Sequence, residues 1–455
     1  MDWIKQYIGK VKLDPNWRQE YERKKISAEE AVRKVKSGDN VVCPIGRDPL
    51  ALCLALASRK EELRGVHIFM GSPTVDFGWW DVGWEDSFMV KIGFAASGGV
   101  ASEYLAQRRG DAVIGGLCIT GKLPDRWDAD VLFIEVSPPD GDGFCSFGAS
   151  VYDKRHWVAK AKLVLAEVND RLIRTCGDNF VHVSQIDYFV EHSHTGRKPG
   201  EVRLDGKPLT AITEEQKQIC DYVTTLIHDG DTIQVGQGST SETLIRAGLL
   251  GDRCDIGWHS EVTPAGIIRL VREGVITGKY KTLDRGKAVA TAIGGGTTED
   301  MSFVHMNPMF ELRDIEYTHD PRTIGALDNM VTINNALEVD LTGQVNAESM
   351  GPQMLSGAGG LLAFSIGSYL SKNGRFIIVF PSTAKDGAIS RIVPMLGCGS
   401  KITVPHTLAD IVVTEYGIAR LRGKSQRERA EELTVVAHPD FRGDLRKAAR
   451  ELYWP

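Results

Sequence analysis

A glutamate that follows a short buried strand and faces a glycine turn is the arrangement in this chain best suited to chemistry. Thr232 to Val235 read as a strand running into Gly236-Gln237-Gly238, where missing side chains let a ligand approach the backbone closely. Asp255 to Trp258 read as the next strand, which delivers His259-Ser260-Glu261 at its carboxyl end. In a right-handed βαβ unit both turns lie at one edge of a parallel sheet, and neighbouring strands sit roughly 5 Å apart. If these two strands are neighbours, Glu261 stands beside the amide groups of Gln237 and Gly238. A carboxylate close to free backbone N–H donors can attack a carbonyl whose developing oxyanion those donors stabilise. The competing reading is a doubly wound sheet whose edge carries one solvated Glu; a single GxG and a single Glu do not decide between them.

The elements that must position this turn are legible around it. Ser239 stands three residues before Glu242, the spacing of a capping box, and Leu244, Ile245, Leu249 and Leu250 give the following helix an apolar face. The first half of the chain repeats the order. Gly38-Asp39 and Gly230-Asp231 each precede a short strand, a small-residue turn, a helix and a second strand; in the first half the strands are Val41 to Pro44 and Val66 to Met70. Further strands are expected at Val90 to Phe94, Ala112 to Gly115, Val131 to Val136 and Leu163 to Val168. The fold class that follows is α/β, with two similarly wound open α/β domains. The polar, broken stretch between Glu191 and Thr213 places the boundary, giving domains 1–205 and 206–455. The first-half turn lacks the second Gly, and nothing at Ser72-Pro73 takes the place of Glu261, so one active site is expected, mainly from the second half.

Two later stretches bear on the same site. Val331 to Asp340 reads as one strand in which Asn334, Asn335 and Glu338 need polar partners. Ser356-Gly357-Ala358-Gly359-Gly360 is a second loop able to bring N–H groups against a ligand, though glycine content alone fits a flexible connector equally well.

Composition removes several function classes. The 455 residues are 42% hydrophobic and 25% charged, with a formal charge of -6 and no long charge run, so no basic stripe is offered to nucleic acid or anionic lipid. The N-terminus has no apolar leader core, and no apolar stretch reaches about 18 residues, so a cytoplasmic protein without a membrane partner is expected. Its eight cysteines form no CxxC pair and no zinc-ligand spacing, and no metal is expected. His192 and His194 fall in the polar loop and read as exposed histidines in preference to ligands.

Taken together the landmarks resemble the class I coenzyme A transferases of the acetyl-CoA hydrolase/transferase group, the branch with 4-hydroxybutyrate, butyrate and succinate:acetate CoA-transferases. The carriers are Ser137-Pro138-Pro139-Asp140, Gly236-x-Gly238, His259-Ser260-Glu261, Ala336 to Val345 (ALEVDLTGQV), Ser356-Gly357-x-Gly359-Gly360, Thr414-Glu415-Tyr416-Gly417 and His438-Pro439-Asp440-Phe441-Arg442. The resemblance implies that Glu261 is a nucleophile forming an acyl anhydride and then a glutamyl-CoA thioester, and that the N–H groups of Gln237 and Gly360 form an oxyanion hole. One such donor is typically worth on the order of 3 kcal/mol in the barrier. It further implies that Asn334 and Glu415 orient the nucleophile or line its pocket, and that Lys385 contacts CoA, with Gly236, Gly238 and Gly359 shaping the binding loops. Coenzyme A is then a substrate carried by acyl-CoA, with a small carboxylic acid as co-substrate and no tightly bound cofactor. A homodimer or homotetramer is the assembly implied. An acyl-CoA hydrolase with water in the acceptor's place, and a non-catalytic ligand-binding protein of related fold, are the alternatives.

The chain also departs from the family pattern. Leu361 and Ala363 stand where Gln and Asp are common, and Ser241 where Pro is common. Leu361 and Ala363, together with Trp258 three residues before Glu261, lead to the expectation of a more apolar or larger acyl pocket.

Overall fold

The computed structural model describes residues 2–94, 100–115, 123–125, 127–193 and 211–455. The chain divides into two compact units. The first comprises Met1–Leu117, Gly121–Lys207 and Thr291–Tyr317; the second comprises Cys118–Thr120, Pro208–Ala290 and Thr318–Pro455. Segment 291–317 thus counts with the first unit although it follows Glu261 in sequence, which a single cut at 205/206 cannot represent.

In the first unit seven strands form one parallel sheet: β1 (Asn40–Cys43), β2 (Val66–Met70), β3 (Phe88–Ile92), β4 (Asp111–Ala112), β5 (Val131–Val136), β6 (Leu163–Val168) and β7 (Tyr188–Glu191), in the order β7-β6-β5-β1-β2-β3-β4. Every residue of β5 is buried, as expected for a parallel strand covered on both faces. Helix α1 (Leu50–Ala57) packs Leu52 and Leu56 against Val41, Cys43, Ile68 and Met70. Ser27 opens the short helix before β1 with a capping box to Glu30.

The second unit carries β8 (Thr232–Val235), β9 (Gly257–His259), β10 (Ala288–Ala290), β11 (Met330–Asn335), β12 (Arg375–Val379), β13 (Ile411–Thr414) and β14 (Gly417–Arg420). Their order is β14-β13-β12-β11-β8-β9-β10, all parallel but for the hairpin β13–β14. The progression 11-8-9-10 matches 5-1-2-3 of the first unit, so the two are wound alike. Strand order reverses between β8 and β11, and such a switch point opens a crevice at the carboxyl ends where ligands of open α/β sheets bind.

One expected strand is two. β11 stops at Asn335, and Glu338–Asp340 leaves the sheet to pair with Val345–Asn346 and Ile392–Val393. The chain turns out there because the two asparagines are engaged with β8 and the turn after it, while Glu338 accepts from Asn346 Nδ2 and Ser400 Oγ. Beneath β11 and β12 a core forms from Val339, Leu341, Leu361, Phe376, Ile378 and Phe380.

Candidate active site

The carboxyl ends of β8, β9 and β11 build the site. β8 and β9 are parallel neighbours, with Thr232 opposite Gly257 and Ile233 opposite Trp258. Beyond the end of β9 the chain stays anchored on both sides: Ser260 N–H donates to Val289 O at 3.1 Å and Ser260 Oγ to Val235 O at 3.3 Å. Trp258 Nε1 donates to Thr263 Oγ1 at 3.0 Å, bracing the chain across the intervening Glu261. The Glu261 side chain is 17% exposed, enough for a reagent to reach it.

Steric demand explains both glycines of the turn. A Cβ on Gly236 would lie 2.3 Å from Asn334 Oδ1, and one on Gly238 would lie 2.0 Å from Asn335 Nδ2. Asn334 is fixed by a reciprocal pair with Gln234, at 3.1 and 2.9 Å. Asn335 Oδ1 accepts from the N–H groups of Thr240 and Ser241, at 3.2 and 3.0 Å, and its Nδ2 donates to Gln237 O. Helix α2 (Ser241–Arg246) is therefore capped from the neighbouring strand, and the capping box expected at Ser239 does not form; Thr240 is the N-cap and makes no side-chain cap bond. Ser241 supplies an N–H that a proline would lack.

Gly360 precedes helix α3 (Leu361–Leu370) as its N-cap, and Gly359, at φ +56°, takes the left-handed conformation that glycine adopts without steric cost. A Cβ on Gly360 would meet His319 Cδ2 and Nε2 at 2.6 Å, and His319 Nε2 is itself 3.3 Å from Glu261 Oε2. Gly360 is thereby placed one side chain away from the carboxylate. Among the described residues the backbone N–H groups of Gln237 and Gly360 have no acceptor, so both donors remain available to a ligand.

Glu415 and Lys385 follow β13 and β12, further along the sheet from β9. Glu415, 8% exposed, accepts from Ser382 N and Ser382 Oγ at 2.8 and 2.6 Å. Beside it, burial pulls Arg391 down to about 10, opposed by the Glu415 charge. In the sheet order β13 and β9 are four strand positions apart. Lys385 is exposed in the turn between Thr383–Ala384 and Ile389–Ser390.

The expected acyl-pocket residues fall elsewhere. Trp258 and Ala363 have no exposed surface and line no open pocket, and Leu361 lies in the core under β11 and β12. The expectation of an enlarged apolar pocket therefore loses its basis. His192 Nδ1 lies 2.8 Å from Glu167 Oε1, and His194 lies outside the described residues. Among the described residues no group of three or more His, Cys, Asp or Glu is placed to hold a metal ion, and no helix is long and apolar enough to cross a membrane.

Sequence reasoning missed two residues. Asn335 was noticed only as a polar group needing a partner. His319 carries no motif: 58 positions from Glu261, it precedes an ordinary helix start at Asp320-Pro321.

His259 completes the network. It is fully buried and donates from Nε2 to Thr318 O at 3.0 Å; burial first, then the Lys281 ammonium, pushes it down from the usual histidine value to about 3. The folded value lies below the unfolded one, so between about pH 6.5 and 3 the unfolded chain takes up a proton that the native state refuses. Stability is thus full above that window and falls on acidification. His259→Asn is expected to lose less stability than the parent between about pH 7 and 5 in denaturant titrations, and equal losses would remove this assignment.

Residues 112–196 match the acetyl-CoA hydrolase/transferase N-terminal domain and residues 296–449 its C-terminal domain. The chain is 38% identical over 436 residues to the 4-hydroxybutyrate coenzyme A transferase of Clostridium kluyveri, covering 94% of this chain and 98% of that protein. It is 36% identical to the succinyl-CoA:cyclohexane-1-carboxylate CoA transferase of Geobacter metallireducens, covering 96% and 97%. Among solved structures, RipA from Yersinia pestis superimposes with a TM-score of 0.85 at 29% identity, covering 96% of this chain and 100% of that one.

Proposed function

The chain belongs to the acetyl-CoA hydrolase/transferase family and is a CoA-transferase; from that premise we propose that it moves CoA from an acyl-CoA to a carboxylic acid through a glutamyl-CoA thioester on Glu261. One Glu261 oxygen attacks the thioester carbonyl, and the C–S bond breaks to leave an acyl-glutamyl anhydride and CoA thiolate. The thiolate then attacks the Glu261 side-chain carbonyl and expels the donor acid as carboxylate. An acceptor carboxylate reverses the two steps, attacking the glutamyl thioester and then losing its acyl group to the thiolate. No net proton moves, and one thioester is exchanged for another without ATP.

What supports this reading is that Glu261 follows β9, the parallel neighbour of the strand that ends in the Gly236 turn, and lies 3.3 Å from the His319 ring against which Gly360 packs, while the Gln237 and Gly360 N–H groups have no acceptor among the described residues. Lys385, exposed after β12, is suited to a CoA phosphate, and binding energy gained there is available for the step at the thioester. The same reading expects residues 206–455 to carry the nucleophile, and the protein to be a cytoplasmic homodimer or homotetramer.

Incubation with an acyl-CoA alone, followed by peptide mass analysis, tests it. The peptide containing Glu261 should gain the mass of CoA, and hydroxylamine should remove it. A hydrolase using water would release free acid continuously without any acceptor, whereas the transferase should stop after one equivalent per site. Modification of another carboxylate, or of none, would overturn the assignment.

A further inference from the structure

The two oxygens of Glu261 do different work in the proposed route. One becomes the bridging oxygen of the anhydride; the other stays on the side-chain carbon throughout, as carboxylate, anhydride carbonyl and thioester carbonyl in turn. His319 Nε2 lies 3.3 Å from Oε2. At its other side His319 Nδ1 is 3.0 Å from Thr318 Oγ1. A hydroxyl donating to Nδ1 leaves the ring proton on Nε2, aimed at Oε2, and the protonated ring donates there as well. The imidazole has no exposed surface. Phe364 stands edge-on to it with ring centroids 5.1 Å apart, and the backbone of Gly360 closes another side. A donor fixed in this way needs no reorganisation when charge develops opposite it.

We propose that His319 is a catalytic residue: its Nε2–H stabilises the oxyanion formed on Glu261 Oε2 whenever the side-chain carbonyl of Glu261 is itself attacked. The N–H groups of Gln237 and Gly360 serve the other carbonyl, that of the incoming acyl group. Oε1 is then the nucleophile toward acyl-CoA. When CoA thiolate attacks the anhydride at Glu261 Cδ, a C–S bond forms and the Cδ=Oε2 electron pair moves onto Oε2. It returns as the Cδ–Oε1 bond breaks and the donor carboxylate departs with Oε1. Attack of the acceptor carboxylate on the thioester places charge on Oε2 a second time, and the thiolate leaves. His319 keeps its proton throughout. The site therefore has two oxyanion donor sets, one made of backbone and one of a side chain whose tautomer Thr318 selects.

This inference rests on the glutamyl-CoA reading above, and its test separates the two. The parent, His319→Leu, His319→Gln and Thr318→Val enzymes are charged with acyl-CoA and freed of small molecules. Each is then mixed with acceptor carboxylate, and loss of CoA from the Glu261 peptide is timed by quench and mass analysis. His319→Leu is expected to discharge on the order of 10²-fold more slowly than the parent, the usual effect of losing one oxyanion donor. His319→Gln, whose carboxamide N–H can reach the same oxygen, should stay within roughly 10-fold of the parent, and Thr318→Val should slow discharge by about 10-fold with the KM for acyl-CoA unchanged. Discharge of His319→Leu at the parent's rate, or equal slowing in the Leu and Gln variants, would overturn the role of His319 while leaving the thioester intact. Should the Leu variant not fold, a Thr318→Val enzyme as fast as the parent does the same. A parent that never carries CoA on Glu261 overturns the underlying reading and this inference together.

Discussion

Glu261→Gln is expected to lower CoA transfer by on the order of 10⁴-fold or more, with acyl-CoA binding changed by no more than a few-fold. The carboxamide keeps the shape of the side chain, and its oxygen still accepts from His319 Nε2, so the surrounding bonds survive. What disappears is the second anionic oxygen, and an amide does not form an anhydride with an acyl group. Loss of the attacking group in covalent catalysis has cost about 10⁶-fold in kcat where it has been dissected, the residue coming from binding and oxyanion stabilisation alone. Glu261→Asp makes a sharper probe. It keeps the charge but withdraws the carboxylate by one methylene, beyond easy reach of His319 and of the carbonyl, and a displacement of about 1 Å from attack geometry can cost 10²-fold. Steady-state kinetics paired with isothermal titration of acyl-CoA read both variants. A Gln enzyme turning over at the parent's rate would remove Glu261 from the mechanism.

The parts of this fold that sequence could deliver are those whose signal is local. β8, β2, β5 and β6 were legible to the residue because each is a short, mainly apolar run bounded by glycine or polar residues, the pattern of a strand buried on both faces. The parallel pairing of β8 with β9 followed from that local reading together with the handedness of βαβ crossovers. What was not legible depends on partners far along the chain. The Ser239 and Glu242 spacing was a sound capping signal, yet Asn335, 95 residues from Thr240, occupies the helix start first. Val331 to Asp340 has no break in its pattern; only the engagement of Asn334 and Asn335 with β8 and its turn, and the pairing of Glu338–Asp340 elsewhere, divide it. Trp258 looked like added bulk at the pocket because it is three residues from Glu261. It is committed instead to Thr263, and its effect on the site is to hold the turn.

Gly360→Ala tests how tightly the parts of the site depend on one another. At φ −84° and ψ 0° an alanine stays at negative φ in the sparsely populated bridge region, so most of the loss comes from contact. The added methyl would stand 2.6 Å from His319 Cδ2 and Nε2 and 3.1 Å from Phe364 Cδ2. Overpacking of this kind costs about 1–3 kcal/mol in stability. The kinetic cost should be larger, because the group displaced is the imidazole against Glu261 and the backbone N–H moved is one of the two offered to the acyl carbonyl. A fall in kcat of on the order of 10²–10³-fold is expected, with KM for acyl-CoA within a few-fold of the parent. Pairing Gly360→Ala with His319→Ala opens the space again. The double variant should recover most of the lost stability and none of the lost activity, a non-additivity that residues in contact show and distant ones do not. If Gly360→Ala alone keeps the parent's kcat, the second glycine bend does not take part in catalysis, and the N–H groups that stabilise the acyl oxyanion must be sought along β8 only.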